Sequence, residues 1–314
     1  MPHVTAAITT YDRAELVVEA VESALAQSYG DVEVLVVDNG SKDGTANALA
    51  PYRERIRYVY QENAGRAGAR NRAIQEAHGD YVAFLDADDV WLPDKLERQV
   101  PVLDARSGVA LVHGHVEAID AFGRPLPRST ARHRRLFARA HRHGASYAAY
   151  ALDCRCLTST VLARRDVLER IGGYDPSVAL EDVDLYLRVA LEGEIVFLEG
   201  APLARYRLHG GQTARDEHVR GQLEVCLKHL RLLDERPDAP GVRAAQRNFL
   251  LSLAYCHYML GNRGRTRRTI AQAVAVDPRA LLVGRASKWL VLSLLPVAVR
   301  RGGARVRDRI APAR

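Results

Sequence analysis

The stretch YVAFLDADD, Tyr81–Asp89, joins an apolar run to three carboxylates within four residues. The apolar part is typical of a buried strand. If the chain stays extended beyond it, Asp86 and Asp88 point to the same side because they are two residues apart. Their mutual repulsion is relieved by a cation, and Mg²⁺ or Mn²⁺ completed by substrate phosphates is the simplest solution. The structural alternative is an acidic turn that caps the following helix.

Outward from this stretch, short runs rich in Val and Ile alternate with amphipathic stretches over about the first 120 residues. This alternation predicts an α/β fold with a mainly parallel sheet covered by helices on both faces. The predicted strands are Val4–Thr9, Val32–Asp38, Arg57–Tyr60, Tyr81–Asp86 and Ala110–Val116. The predicted helices between them are Glu15–Tyr29, Thr45–Arg55, Ala67–His78 and Pro93–Asp104.

Ligands of such sheets bind outside the carboxyl ends of the strands, so the polar residues that follow each strand are site candidates. They are Thr9–Tyr11, Asp38–Ser41, Asn63 and Asp86–Asp89. In VLVVDNGSKDGT, Val34–Thr45, a strand ends at Asp38 and Asn39, which could bind a nucleobase edge or a ribose hydroxyl. A plain turn that uses Gly and Asp for backbone reasons is the alternative.

Three further motifs could serve an anionic ligand or its chemistry. NAGRAGARN, Asn63–Asn71, lacks both the dinucleotide and the phosphate-loop spacings, but its arginines and small residues at a helix start suit an anion. In LEDVDLYLRVA, Leu180–Ala190, Asp182 begins a helix and is either a cap or a general base. His209 in YRLHGGQT, Tyr206–Thr213, is either structural or part of the site.

The remaining chain has a different character. From Gly123 to Arg142 the pattern breaks into Pro, Gly, Arg and His, which predicts a loop or mobile segment. Beyond Gln212 nearly all of the chain has helical periodicity, at Glu217–Leu233, Val242–Leu260, Arg265–Val276 and Ala280–Val299. We therefore predict one domain over residues 1–214, with a nucleotide-binding half of about 1–120 and a second half of 121–214, and a helical region over 215–314.

The composition indicates only broad classes of binding partner. The net charge is +7, with dense basic runs at Arg124–Arg142 and Arg300–Arg314, so acidic or phosphorylated partners fit. These runs show no regular interleaving with Phe, Tyr or Trp, of which they contain only Phe137, and this argues against nucleic acid. Four cysteines without a CxxC pair, and the absence of a secretory pattern in the opening residues, favour the cytoplasm.

Taken in order, the motifs TTYDR, VVDNGSKDGT, NAGRAGARN, FLDADDVW, GGYDP, EDVDLYLR and YRLHGGQT resemble those of the family 2 glycosyltransferases. The resemblance covers about residues 3–213. It implies the GT-A fold (a Rossmann-like, mainly parallel sheet flanked by helices) and transfer of a sugar from a nucleotide-sugar with inversion. The implied cofactor is Mn²⁺ or Mg²⁺, and the default donor is a UDP-sugar.

The resemblance also implies roles for single residues. It assigns the metal to Asp88 and His209, the general base to Asp182, and the acceptor side to Glu181 and Trp91. The implied nucleotide-binding residues are Thr9, Tyr11, Asp38, Asn39, Asn63, Arg70 and Asp86. Asn39 departs from the second Asp that is usual in the family, which leaves the donor base open because Asn can both accept and donate hydrogen bonds.

The sequence leaves two other functions open. A nucleotidyltransferase would use a similar sheet and metal, but it would show a Gly-rich phosphate loop after the first strand, and TTYDRAEL has none. A non-catalytic nucleotide- or sugar-binding module would not need Asp182.

A zinc site formed by His133, His141, His143, Cys154 and Cys156 is also conceivable, but the irregular spacing of these residues argues against it.

The acceptor is open, and it could be a sugar, a lipid-linked molecule or another hydroxyl compound. Its specificity is expected to depend on Gly123–Arg155 and on the C-terminal helices. The segment 288–314, apolar and then basic, is either a buried terminal helix with a basic tail or a peripheral contact with the cytoplasmic face of a membrane.

Overall fold

The computed structural model describes residues 4–141, 146–209, 215–237 and 241–282. Its chain divides into two compact units, Met1–Ala214 and Arg215–Arg314. The segment 288–314, for which a membrane contact or a terminal helix was predicted, lies outside the described residues. None of the helices in the described ranges is long and apolar enough to cross a membrane.

The first unit contains ten strands and eight α-helices within its described residues. The strands are β1 Val4–Thr10, β2 Val32–Asp38, β3 Arg57–Tyr60, β4 Tyr81–Asp86, β5 Val90–Trp91, β6 Val109–Gly114, β7 Val116–Ile119, β8 Leu162–Arg164, β9 Glu194–Leu198 and β10 Ala204–Arg207. The helices are α1 Ala14–Leu25, α2 Thr45–Ala48, α3 Gly65–Glu76, α4 Lys95–Ala105, α5 Pro127–His141, α6 Tyr147–Leu152, α7 Arg165–Arg170 and α8 Glu181–Glu192. Short 3₁₀ turns lie at Ala50–Tyr52 and Thr158–Thr160.

Seven strands form the central sheet in the order β3-β2-β1-β4-β8-β6-β9. All neighbours are parallel except β8, which runs antiparallel to β4 and to β6. A second sheet has the order β5-β10-β7. This mainly parallel sheet with flanking helices confirms the predicted α/β class and the GT-A architecture.

The core lies between the central sheet and its helices. On α1 the buried residues are Val17, Ala20, Val21 and Ala24, and their spacing places them on one helical face. They pack in the same cluster as Ile8 of β1. The strands β1, β2 and β4 therefore hold their places because most of their residues are apolar and buried, whereas β3 is an edge strand and has no buried residue.

The prediction of a loop at Gly123–Arg142 is wrong over most of that length, because Pro127–His141 forms α5. Pro127 occupies the first helical position, where its missing N–H costs nothing. Phe137 and Ala140 are buried, at 3% and 4% exposure. The density of Arg and His concealed this short apolar face, although Arg is a good helix former.

Two boundaries also differ from the prediction. The single strand expected at Ala110–Val116 is two strands, β6 and β7, in different sheets. The chain changes sheets beside Gly114, where a Cβ atom would lie 2.7 Å from Leu203 Cδ1. The helix expected at Thr45–Arg55 ends at Ala48, shortly before Pro51, and continues as a 3₁₀ turn.

The second unit is helical in its described part, and it has its own apolar cluster. Its helices are α9 Arg215–Asp234, α10 Val242–Met259 and α11 Arg263–Val276, followed by a 3₁₀ turn at Pro278–Leu282. Leu250 and Leu251 of α10 pack with Ala273 of α11 and with Ala280.

Candidate active site

The polar residues predicted at the sheet edge do lie side by side at the carboxyl ends of neighbouring strands. In the central sheet Thr9 pairs with Asp86 of β4, and Thr10 pairs with Asp38 of β2. Tyr11 follows β1 directly and is 46% exposed. The strand register therefore brings three of the sequence motifs to one edge.

Asp38 is held on both of its carboxylate oxygens. The Tyr58 hydroxyl donates to Oδ2 at 2.5 Å, and the Ser41 backbone N–H donates to Oδ1 at 2.9 Å. The turn after Asp38 needs Gly40, whose φ is +90° and whose Cβ would lie 2.9 Å from the Asn63 nitrogen. The close approach of these two loops fixes Asp38 in one orientation.

Asn39 connects the loop after β2 to the loop after β3. Its Nδ2 donates to Asn63 Oδ1 at 3.1 Å, and its Oδ1 accepts from the Gln61 side chain at 2.7 Å and from the Ala64 N–H at 3.0 Å. An Asp could not donate to Asn63 in this way. The Asn at this position thus has a structural partner, and Asn63 itself remains exposed.

Arg70 is a buried bridge between two carboxylates. Its Nη2 lies 2.7 Å from Asp86 Oδ1, and its Nη1 lies 2.8 Å from Glu181 Oε1. Burial acts to lower the pKa of the guanidinium, but the charges of Asp86 and Glu181 outweigh it and raise that pKa. With 6% exposure, Arg70 ties β4 to the start of α8 and presents little surface to a ligand.

Asp88 lies against His209. The strand ends at Asp86 and the chain turns at Ala87 and Asp88, so the alternation expected of an extended chain does not apply. Asp88 Oδ2 is 2.9 Å from His209 Nε2, and the Asp88 carbonyl accepts from Arg207 Nε at 2.8 Å. Asp86 and Asp88 are therefore held by different partners.

Asp89, the third carboxylate, is buried. It accepts from the Ser159 hydroxyl at 2.5 Å and from the Arg207 backbone N–H at 2.9 Å. Burial, followed by the charges of Asp86 and Asp88, raises its pKa well above the usual range. Asp89 thus joins the Thr158–Thr160 turn to β10 and leaves Asp86 and Asp88 as the partly exposed pair.

Asp182 and Glu181 occupy the first turn of α8, where a negative charge is favoured by the helix dipole. Asp182 is half-buried, and its Oδ1 accepts from the Val183 N–H at 2.8 Å. Burial raises the pKa of Glu181 although Arg70 opposes the shift. Glu181 is 5% exposed, so Asp182 is the more accessible of the two.

The Arg70 bridge between Asp86 and Glu181 brings the start of α8, and with it Asp182, to the sheet edge, and Tyr206 lies among the same carboxylates. Burial, and then the charges of Asp89, Asp86, Asp88 and Asp182, raise the pKa of its hydroxyl. The ring belongs to β10, one residue before Arg207 and three residues before His209. The charges of all four carboxylates therefore act on the pKa of the same hydroxyl.

A cavity of about 720 Å³ opens beside these groups. It is lined by Tyr206, Leu208 and His209 from the β10 segment and by Ser129, Arg132, His133 and Leu136 of α5.

Trp91, which was assigned to the acceptor side, is not among the residues that line this cavity. This ring is 2% exposed, its Nε1 donates to the Ser159 carbonyl at 2.8 Å, and Lys95 Nζ lies 4.2 Å from its centroid, which is the environment of a core residue.

Sequence reasoning missed Arg207 and Ser159. Arg207 is 3% exposed and contacts Asp88, Asp89 and the Glu19 carboxylate, the last at 2.7 Å. A charged residue within the short strand before His209 was the available signal. Nothing in TST, Thr158–Thr160, distinguishes Ser159 from an ordinary turn residue.

Asp88 and His209 are chemically suited to a divalent cation, because both offer hard or borderline donor atoms within 2.9 Å of each other. Within the described ranges no group of three or more His, Cys, Asp or Glu side chains is placed to hold a metal. Two protein ligands fit an ion whose other positions are filled by phosphate oxygens and water. Of the residues considered for zinc, His143 lies outside the described residues.

Comparison with known proteins shows the same fold and family. The family described as Glycosyl transferase family 2 matches residues 5–172. An uncharacterized glycosyltransferase of Nostoc sp. (strain PCC 7120) is 33% identical over 66% of this chain and 65% of its own length. The succinoglycan biosynthesis protein ExoO of Rhizobium meliloti is 38% identical over 40% of this chain and 36% of its own length. The chain thus spans less than two thirds of either relative.

Among solved structures, the mannosyltransferase PcManGT from Pyrobaculum calidifontis, in complex with GDP-Man and Mn²⁺, is similar with a TM-score of 0.61. The two proteins are 21% identical, and the match covers 93% of this chain and 84% of that one. At this identity the likeness speaks for the fold, and the family match spans more than half of the sequence. The chain therefore belongs to glycosyl transferase family 2.

Proposed function

We propose that this protein transfers a sugar from a nucleoside diphosphate sugar to an acceptor hydroxyl, with inversion at the anomeric carbon. The observation that carries the proposal is the Asp88–His209 pair, 2.9 Å apart, at the sheet edge that Arg70 joins to the start of α8, where the half-buried carboxylate of Asp182 lies. A non-catalytic binding module would not need Asp182 at this place. Residues 1–214 would form the transferase domain.

The nucleoside would lie at the ends of β1, β2 and β3. Thr9, Tyr11, Asp38, Asn39 and Asn63 are the residues that we assign to this part of the site. Asp38 and Asn39 are 1% and 5% exposed and are fixed by their hydrogen bonds, so we assign them to holding the ends of β2 and β3 in place, with the exposed Tyr11 and Asn63 as direct contacts of the nucleoside. UDP is the default nucleotide, although PcManGT with its GDP-Man shows that another base can occupy this fold.

Asp88 and His209 would hold Mn²⁺ or Mg²⁺ together with the diphosphate. When bound, the ion supplies a positive charge that stabilises the leaving diphosphate. Asp86 is assigned to the nucleotide side, and its ion pair with Arg70 keeps it in place. Arg70 itself is better assigned to positioning Asp86 and Glu181 than to direct nucleotide contact, because it is buried.

Asp182 would act as the general base. It accepts the proton of the acceptor hydroxyl, whose oxygen forms the new bond to the anomeric carbon while the bond to the diphosphate breaks on the opposite face. Glu181 keeps this end of α8 attached to Arg70 and so maintains the position of Asp182. Asp182 keeps one oxygen on the Val183 N–H, which leaves the other for the acceptor.

The first test is calorimetric binding of UDP, GDP, dTDP and CDP with and without Mn²⁺ or Mg²⁺. We expect one nucleotide to bind in a metal-dependent way, and we expect Asp88→Ala to weaken it by at least about tenfold, as the loss of one charge-assisted contact would. Asp94→Ala is the matched control, since Asp94 is exposed and its nearest cation is Arg98 at 3.5 Å. If no nucleotide binds with either metal, the proposal fails.

A further inference from the structure

The helix α5 carries an unusual charge. Its sequence PRSTARHRRLFARAH contains five arginines and no acidic residue. Arg128, Arg132 and Arg135 are spaced at i, i+4 and i+7, which places them on one face of the helix. All three are exposed. We call these three residues the arginine stripe.

The stripe faces solvent, whereas several other residues of the helix make contacts with the rest of the domain. Phe137 on α5 stacks on Phe197 at 5.8 Å, and Thr130 Oγ1 accepts from the Ala118 backbone N–H at 2.9 Å. Arg134 donates to the Gly200 carbonyl at 2.9 Å. Among the described residues, by contrast, no carboxylate forms an ion pair with an arginine of the stripe.

This arrangement costs stability unless an anion compensates it. Like charges at i, i+4 on a helix repel each other. The protein nevertheless keeps three of them on one face without an acidic neighbour on the same helix. Such a face is complementary to a ligand with more than one negative charge.

The stripe also borders the candidate active site. Arg132 lines the cavity of about 720 Å³ together with His133, and the His133 ring lies 5.8 Å from that of Tyr206. His209 lines the same cavity. One cavity is therefore lined both by His209, the partner of Asp88, and by Arg132 of the stripe.

We propose that the arginine stripe binds a phosphate group that belongs to the acceptor, so that the substrate class is a phosphate-bearing acceptor. This inference rests on the proposed function, since it needs an acceptor in the cavity. The guanidinium fork matches phosphate oxygens in pairs. A phosphate monoester carries about −1.5 to −2 charges at neutral pH, which suits three arginines better than a single carboxylate does.

The test uses hexyl phosphate, hexanoate and hexanol as probes, which share an alkyl chain and differ in the head group. Each is titrated by calorimetry into the full chain, with the nucleoside diphosphate that binds and Mn²⁺ both present at saturation, so that the metal pair is occupied. The variant Arg128→Gln/Arg132→Gln/Arg135→Gln removes the stripe. The control Arg220→Gln/Arg231→Gln/Arg268→Gln removes three exposed arginines from α9 and α11 and gives the same change in net charge.

We expect hexyl phosphate to bind the wild type and the control, and to bind the stripe variant about tenfold more weakly, as loss of charge-assisted contacts would cause. Hexanoate should bind more weakly than hexyl phosphate, and hexanol should not bind detectably. Equal affinity of hexyl phosphate for the stripe variant and the control overturns the proposal. Equal affinity of hexanoate and hexyl phosphate overturns the assignment to phosphate.

Vesicles of phosphatidylglycerol and phosphatidylcholine, mixed equally, separate a membrane surface from a phosphate in the cavity. If the stripe variant loses vesicle binding while its affinity for hexyl phosphate equals that of the control, the stripe serves a membrane and the proposal is wrong. If no nucleotide binds the wild type, the proposed function fails. Hexyl phosphate is then titrated without nucleotide, and that result judges the stripe separately.

Discussion

At the residue scale, the three carboxylates of Asp86–Asp89 differ in what surrounds them. Asp86 pairs with Arg70, Asp88 lies against His209, and Asp89 is buried under Ser159 and Arg207. These three aspartates therefore differ in role: Asp86 is held in position by Arg70, Asp88 is a candidate metal ligand, and Asp89 is a structural link. This division of roles explains how one short segment can join the sheet edge, the α8 side and β10.

The Arg70 bridge gives the first prediction. Arg70→Met removes the guanidinium between Asp86 and Glu181 and leaves a carboxylate with 5% exposure without its main cation. Breaking a buried ion pair in this way costs about 3–5 kcal/mol, and partial exposure of Asp86 favours the lower end. The free energy of unfolding in urea measures the effect.

Arg72→Met is the matched control for this measurement. Arg72 lies on the same helix, but it is exposed and pairs with Glu76 at i, i+4. Its loss should cost no more than about 0.5 kcal/mol. Similar losses of stability in the two variants would contradict the assignment of Arg70 as a buried bridge.

Whether the role of one of these residues can be predicted from the sequence depends on how far along the chain its partners lie. Asp86, Asp88 and Asp182 stand out because carboxylates directly follow a strand or begin a helix. The partners of Asp89 come from Ser159 and Arg207, which are about 70 and 118 residues away. A single sequence carries no signal for such pairs, so the buried role of Asp89 could not be predicted.

At the element scale, α5 shows why a charged helix was mistaken for a loop. Its apolar face is short, and its last residue, His141, completes that face by stacking on Phe197 with ring centroids 4.1 Å apart. His113 lies 5.0 Å from His141, so histidines replace the apolar residues by which a helix is usually recognised. The strands β1, β2 and β4, by contrast, are predictable because each contains a run of buried apolar residues.

The packing of His141 makes stability depend on pH. Burial, acting with the nearby His115 and against the backbone of Arg155 and the charge of Asp153, lowers the pKa of His141 to about 4 from 6.5 in the unfolded chain. The unfolded state therefore binds more protons between these values, and stability falls as the pH decreases from about 6.5 towards 4. The contribution of His141 between pH 7 and pH 5 is about 1–2 kcal/mol.

His141→Phe tests this prediction, because Phe keeps the ring stack and cannot take up a proton. Urea unfolding at pH 7 and pH 5 should show a smaller loss of stability for the variant than for the wild type. Some loss should remain, since burial also lowers the pKa of His113. An identical loss in both proteins would show that the His141 ring is not buried against Phe197 in solution.

At the scale of the whole molecule, the contacts fall into two compact units that meet in sequence after Ala214. Every residue assigned to the active site belongs to the first unit. The second unit has its own apolar cluster around Leu251. The helical pattern beyond Gln212 was visible in the sequence, whereas its function has no motif to reveal it.

Leu251→Ala tests whether the nucleotide site depends on the second unit. Leu251 is fully buried in α10, so its truncation should destabilise that unit by about 2–5 kcal/mol. Hydrogen exchange followed by mass spectrometry should show weaker protection in α10 and α11. Affinity for the nucleotide should stay within about twofold, and a larger loss would mean that the two units form one cooperative site.

The central claim is that Asp182 acts as a base beside a nucleotide site that it does not itself form. The most direct measurement is the release of nucleoside diphosphate from the matching nucleotide-sugar, with water as acceptor, by the wild type and by Asp182→Asn. We expect the rate to fall by about 10²–10⁴ while nucleotide affinity changes little. An undiminished rate in Asp182→Asn would contradict the account, because the proton would then be accepted by another group.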